Sequence, residues 1–176
     1  MITADELVTL PYTQDLTQAG IAYAVRSFPH THDPVGGSPF NRLQRTVAGV
    51  AVELAFRCYL TGAGVPFDVL SATPFSAPDR YDLALGGRRC EVKSFPIFNK
   101  SRIQQFRRNP AHLLEAPALV PADQLTDSHL GYEDLYIFAF VSALVTRSGG
   151  DLSRAMDTGQ PHHIVTPLPA GWSRPV

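Results

Sequence analysis

The Gly86-Gly87 pair, set between two short apolar runs, constrains this chain more than any other feature. Tyr81 to Leu85 precedes it and Cys90 to Val92 follows. Adjacent glycines accept the positive φ angles of a two-residue hairpin turn without steric cost. The spacing therefore predicts a β-hairpin with Leu85 opposite Arg88, Leu83 opposite Cys90 and Asp82 opposite Glu91. Side chains alternate along a strand, so Tyr81, Leu83, Leu85, Cys90 and Val92 share an apolar face. Asp82, Ala84, Arg89, Glu91 and Lys93 share a charged one.

Two carboxylates facing each other across a ladder repel, at a cost of a few tenths to about 1 kcal/mol, unless a cation sits between them. Hard cations such as Mg²⁺ take oxygen ligands, commonly one or two carboxylates completed by water and phosphate oxygens. Lys93, two residues past Glu91 on the same face, can reach a nucleophilic water or the charge on a phosphorus centre. The pattern reads as a site for metal-assisted hydrolysis. The plainer alternative is a solvated strand end with a weak ion pair, worth about 0–1 kcal/mol.

An acidic residue on one strand, a turn and then E-x-K on the next resembles the PD-(D/E)xK nuclease superfamily, the fold of many restriction endonucleases, resolvases and repair nucleases. The resemblance implies an α/β, restriction-endonuclease-like core, a mixed β-sheet flanked by helices in the order αβββαβ. It implies Asp82 and Glu91 as ligands of Mg²⁺ (or Mn²⁺), joined by the Val92 backbone carbonyl, with Lys93 orienting or deprotonating the attacking water. Asp79, preceded by Pro78, matches the literal "PD" three residues earlier. It stays an alternative to Asp82, which the hairpin register favours.

Upstream, Ser38-Pro39 is a helix start, Ser as N-cap and Pro at the first helical position. Leu43, Val47, Val50, Ala51, Leu54 and Cys58 follow helical spacing as far as Leu60, and Gly62 closes the helix. Glu53 lies on it. One reading pairs Glu53 with Arg57 four residues on, worth about 0.3–0.5 kcal/mol. The other, implied by the resemblance, is the acidic residue that many such nucleases carry on the helix before the sheet, as an outer or second-metal ligand. Val65 to Leu70 is expected to be the first strand of a three-strand meander.

Before that helix, short helices are expected around Ala4–Leu10 and Thr13–Arg26, broken near Pro11, although the alternation in Ile21–Val25 also suits a strand. His30, His32 and Asp33 form H-x-H-D in a Pro/Gly-rich stretch. Such a cluster can bind a transition metal, but polar histidines in a loop read more simply as loop.

The net charge is −1, so no global field attracts a polyanion. Any such surface must be local, and one follows the hairpin. Between Arg88 and Arg108 lie seven of the fifteen basic residues against one acidic residue, Glu91. Within it, Lys100, Arg102, Arg107 and Arg108 suit phosphate contact with strong salt dependence, and Gln104 and Gln105 add amides able to meet a base edge. Phe95, Phe98 and Phe106 interleave, suited either to stacking on bases or to core packing. After Asn109-Pro110 comes a loop, with a short helix at Ala111–Glu115. Asp134 to Ser142 is a continuous apolar run that reads as a strand buried on both faces. Ser148-Gly149-Gly150 marks a turn, Asp151–Met156 a helical turn and His163–Thr166 a last strand.

At 176 residues the chain is expected to form a single nuclease-like domain, with an N-terminal extension (1–37), a core (38–145) and a C-terminal extension (146–176). Cys58 and Cys90 sit in apolar patterns and make neither a disulfide framework nor a zinc site. Free thiols suit a reducing compartment, no signal-peptide pattern opens the sequence, and no apolar run reaches the ~20 residues of a membrane span. A cytoplasmic, non-membrane protein is the expectation. The resemblance implies a DNA partner and metal-dependent phosphodiester hydrolysis. It also implies a homodimer where both strands are cut, and partner proteins of a restriction, repair, transposition or defence system. Two rivals stay open: a nucleic-acid-binding subunit with a nuclease-like fold that needs a partner for cleavage, and a non-nuclease α/β domain with solvated hairpin charges.

Overall fold

The computed structural model describes residues 3–27, 39–69, 82–97, 99–116 and 134–142. Asp79, Tyr81, the His30/His32/Asp33 cluster and everything expected beyond Ser142 lie outside these residues. Among the described residues there are three α-helices and four strands: α1 (Gln14–Ser27), α2 (Pro39–Gly62), β1 (Phe67–Asp68), β2 (Leu83–Leu85), β3 (Arg88–Pro96), α3 (Lys100–Arg108) and β4 (Leu135–Val141). The result is a mixed α/β arrangement, a four-stranded mixed sheet flanked by helices.

α2 forms because Leu43, Val47 and Ala51 recur every four residues on one face, where all three are fully buried. It ends in a Schellman-type closure. Val65 N–H donates to Leu60 O at 2.9 Å and Gly64 N–H to Thr61 O at 3.1 Å, with Gly64 at φ +67°. The left-handed residue that stops the helix is thus Gly64, and Gly62 is the last helical residue. α1 packs its Ile21 and Ala24 on Leu43, Val47 and Ala48 of α2, so residues 21–25 are helical and α1 contributes to the packed core. The helix expected at Ala4–Leu10 is a single 3₁₀ turn, Ala4–Glu6, in which the Glu6 carboxylate accepts from Thr3 N–H at 2.7 Å. Val8 and Thr9 are β-branched and Pro11 lacks an N–H, so no helix continues.

The strand order is β1-β2-β3-β4, antiparallel for the first two pairings and parallel for β3 with β4. Gly86 (φ +54°) and Gly87 (φ +81°) form the hairpin turn, and within the ladder the register is as the glycines predict, Leu83 facing Cys90 and Leu85 facing Arg88, but the expected Asp82–Glu91 pair is not formed, because Asp82 N–H bonds to Cys90 O. The parallel β3–β4 pair needs a crossover, part of which is α3. That helix, not anticipated within the basic tract, is capped by the Asn99 side chain, which accepts from Ser101 N–H and Arg102 N–H. It buries Ile103 and Phe106 and exposes Arg102, Gln104, Gln105, Arg107 and Arg108.

One sheet face, with Leu83, Cys90, Val92, Leu135, Ile137 and Ala139, packs on α2 through Ala51, Val52, Ala55, Phe56 and Leu60. β4 is an edge strand of the described sheet and is not buried on both faces, since Phe138 is 40% exposed. An unbroken apolar run does not distinguish a central strand from an edge one. The β1 strand is two residues long, shorter than the Val65–Leu70 stretch expected of it.

α1 and α2 meet at Gly20, where an added Cβ lies 2.7 Å from Val47 O and 2.9 Å from Val47 Cγ1. Alanine improves helix propensity by about 0.8–1 kcal/mol, but overpacking against backbone costs about 1–3 kcal/mol. Gly20→Ala is expected to lower the urea midpoint, and an unchanged or higher midpoint means the two helices do not pack this closely.

Candidate active site

The acidic residue before β2 is tied to both neighbours of the hairpin. Asp82 N–H donates to Cys90 O at 3.0 Å, and the Asp82 carboxylate accepts from Val92 N–H at 2.5 Å. From α2, Arg57 donates through Nη2 to the Asp82 carbonyl at 3.3 Å. Asp82 therefore leaves the regular ladder, and its side chain takes the hydrogen bond of a β3 amide. A charged acceptor on a backbone N–H is a strong bond, roughly twice a neutral one.

Glu53 sits on α2 one turn before Arg57, and the two side chains form an ion pair, each 25% exposed. Arg57 so links Glu53 to the Asp82 backbone, while its Nε is buried with no hydrogen-bond partner among the described residues. On β3, Glu91 and Lys93 point to the face away from α2 and are ion-paired with each other, both largely sheltered from solvent. Further along that face the Arg89 guanidinium pairs with Asp134 at 2.9 Å, and the same carboxylate accepts from Arg89 N–H at 3.0 Å. Asp134 was not singled out by sequence. Its position at the start of an apolar run was the available signal; the register that sets it beside Arg89 is a tertiary feature.

The sequence-derived residues thus fall into three joined pairs: Glu53 with Arg57, Asp82 with Val92, and Glu91 with Lys93. No three His, Cys, Asp or Glu side chains converge on one point among the described residues. A hard cation here would be held by the Asp82 and Glu91 carboxylates and the Val92 carbonyl, completed by water. That all-oxygen donor set fits Mg²⁺ or Mn²⁺ and not a soft metal. Arg102, Gln104, Gln105, Arg107 and Arg108 are solvent-exposed on α3, and Lys100 opens that helix.

Behind the site, Cys90 is fully buried. Burial pushes its thiol pKa up, and the Asp82 and Asp134 carboxylates push it further. Tyr12, whose hydroxyl accepts from Thr17 Oγ1 at 2.9 Å, is also raised by burial, an effect that the hydrogen bond opposes.

Comparison with known proteins returns nothing: no family model, no curated protein and no solved structure matches the chain. No helix of the described residues is long and apolar enough to cross a membrane.

Removing the Asp82 carboxylate leaves Val92 N–H without its acceptor, at a cost of about 1–3 kcal/mol. Asp82→Ala is expected to unfold at lower urea, with Asp82→Asn, which keeps an acceptor oxygen, in between; equal stability of all three removes the bond from the fold. The upward shifts of Cys90 and Tyr12 mean that the native state keeps protons the unfolded chain gives up. The Cys90 contribution is complete below the unfolded thiol value of about 8.5 and is lost as pH rises above it, and that of Tyr12 follows only above the unfolded phenol value of about 10. Stability measured from about pH 7 to about pH 10 is expected to fall, and to fall less in Cys90→Ala.

Proposed function

We propose that this chain is a Mg²⁺- or Mn²⁺-dependent nuclease hydrolysing phosphodiester bonds, with DNA as the expected substrate. The observation that carries the reading is the Asp82 bond to Val92 N–H, which brings the carboxylate just before β2 against the Glu91-Val92-Lys93 tripeptide of β3. The order α2-β1-β2-β3-α3-β4 agrees with the αβββαβ order of a restriction-endonuclease-like core, and the exposed basic and amide side chains of α3 suit a backbone track.

In this reading Asp82, Glu91 and the Val92 carbonyl hold the cation, which supplies charge neutralisation and Lewis-acid polarisation at the phosphate. Lys93 orients or deprotonates the attacking water. Glu53 acts through Arg57, whose guanidinium fixes the Asp82 carbonyl and hence the aim of its carboxylate. Arg102, Arg107, Arg108 and Lys100 bind phosphates, with Gln104 and Gln105 beside them. Cleavage of both strands calls for a second site, supplied by a homodimer or a partner protein.

A second reading, a binding subunit that leaves cleavage to a partner, draws on the ion pairs themselves. Lys93 neutralises Glu91 and Arg57 neutralises Glu53 without any added cation.

Incubation of supercoiled and single-stranded DNA with Mg²⁺ or Mn²⁺ separates the two. The nuclease reading expects cutting that EDTA abolishes and Lys93→Ala reduces about 10²–10⁴-fold, the usual worth of a positioned acid–base group. Salt-sensitive binding with no cutting under any of these metals moves the assignment to the binding subunit.

A further inference from the structure

The face that carries Glu91 and Lys93 continues on β4 as a row of aromatic rings. Parallel register sets Glu91 beside Tyr136, Lys93 beside Phe138 and Phe95 beside Phe140, and directly paired residues point to the same side of a sheet about 4.8 Å apart. Ring centroids run Tyr136–Phe138 at 6.3 Å, Phe138–Phe95 at 6.1 Å and Phe95–Phe140 at 5.5 Å, with interplanar angles of 21°, 31° and 30°. Contact with α2 is made from the opposite face, through Ile137, Ala139 and Val141 of the same strand. The rings are therefore not what holds that helix. Phe138, beside Lys93, is 40% exposed, unlike the buried side chains against α2.

The charges on this face pair off, Glu91 with Lys93 and Asp134 with Arg89. A face so balanced gives little attraction for the phosphates of a duplex, whose bases are stacked inward and present edges in the grooves. Its distinguishing chemistry is the π-surface. An unpaired strand offers the complement, since exposed bases stack on aromatic side chains whatever their sequence.

We infer that the substrate of this site is unpaired: single-stranded nucleic acid, or the frayed or looped part of a duplex, whose bases stack on Phe138 and its neighbours while the adjoining phosphate lies at Glu91 and Lys93. The inference rests on the nuclease reading above and supplies its substrate class. The basic side chains of α3 then hold backbone beyond the rings.

The test is binding in EDTA, where cleavage is suppressed, at one fixed salt concentration. A labelled oligo(dT) longer than the ~4–16 nucleotides such surfaces occupy is compared with a duplex of the same length. The full chain is expected to prefer oligo(dT), and Phe138→Ala to weaken that binding about 5- to 100-fold, in line with the measured worth of base stacking, with duplex affinity unmoved. Phe138→Trp is expected to keep the affinity and to show indole quenching on addition of oligo(dT), a signal that a merely structural ring would not give. Phe138 is partly exposed, and circular dichroism checks that each variant is folded. Equal affinity for both probes, or a Phe138→Ala loss shared by both, overturns the stacking inference and leaves the nuclease reading standing. Absence of binding to either probe, together with absence of cleavage, overturns both.

Discussion

Asp82 is the constraint on which the candidate site depends. Its amide, its carboxylate and its carbonyl are each committed, to Cys90, Val92 and Arg57 respectively. One residue so joins β2 to β3 and both to α2. The position matters because the glycine turn sets register but not what happens at the open end of a short hairpin. β2 has three residues, too few to hold a nine-residue partner strand by ladder bonds along its length. The side-chain bond from Asp82 extends the pairing by one step and fixes Glu91 and Lys93 relative to the helix.

Packing supplies the second requirement, a helix close enough to the sheet for Arg57 to reach. Small residues permit it. Gly49 of α2 comes close to β3, where a Cβ on it would lie 3.6 Å from Ser94 Oγ, and Ala51 is fully buried in the cluster that holds Val92 and Ala139. Larger side chains at these places would push α2 outward, and a guanidinium reach of 3.3 Å tolerates little of that.

Much of this was legible in the sequence, for identifiable reasons. Gly86-Gly87 admits one tight turn, and that turn fixes the pairs next to it, from Leu85 with Arg88 to Leu83 with Cys90. The helix from Pro39 declares itself through a repeated four-residue apolar spacing. α3 was harder to see, because in nine residues only Ile103 and Phe106 are apolar and the basic residues dominate the reading; the useful signal was Asn99 with two apolar positions three apart. The β4 strand was plain, but its exposure depends on sheet order, which no local pattern carries. The commitments of Asp82 and the Arg89–Asp134 pair are tertiary facts, invisible until strands far apart in sequence are adjacent. Charge alternation predicted which residues share a face, and it could not predict that two of them, Glu91 and Lys93, pair with each other.

That pair bears on how the two functional readings differ. A lysine held against a glutamate has a donor committed to that carboxylate. On the nuclease reading Glu91 would serve a cation as well as Lys93, and Lys93 would orient the attacking water beside it. On the binding-subunit reading the same pair is permanent, and its role is to keep a carboxylate from repelling a polyanion laid across the sheet. The two differ in what replaces Lys93. Loss of the ammonium leaves Glu91 unneutralised, which weakens polyanion binding in the second case. In the first it makes the carboxylate a better cation ligand while removing the group that positions water. Opposite effects on metal affinity and on turnover are the signature of a lysine that works with the cation and not in its place.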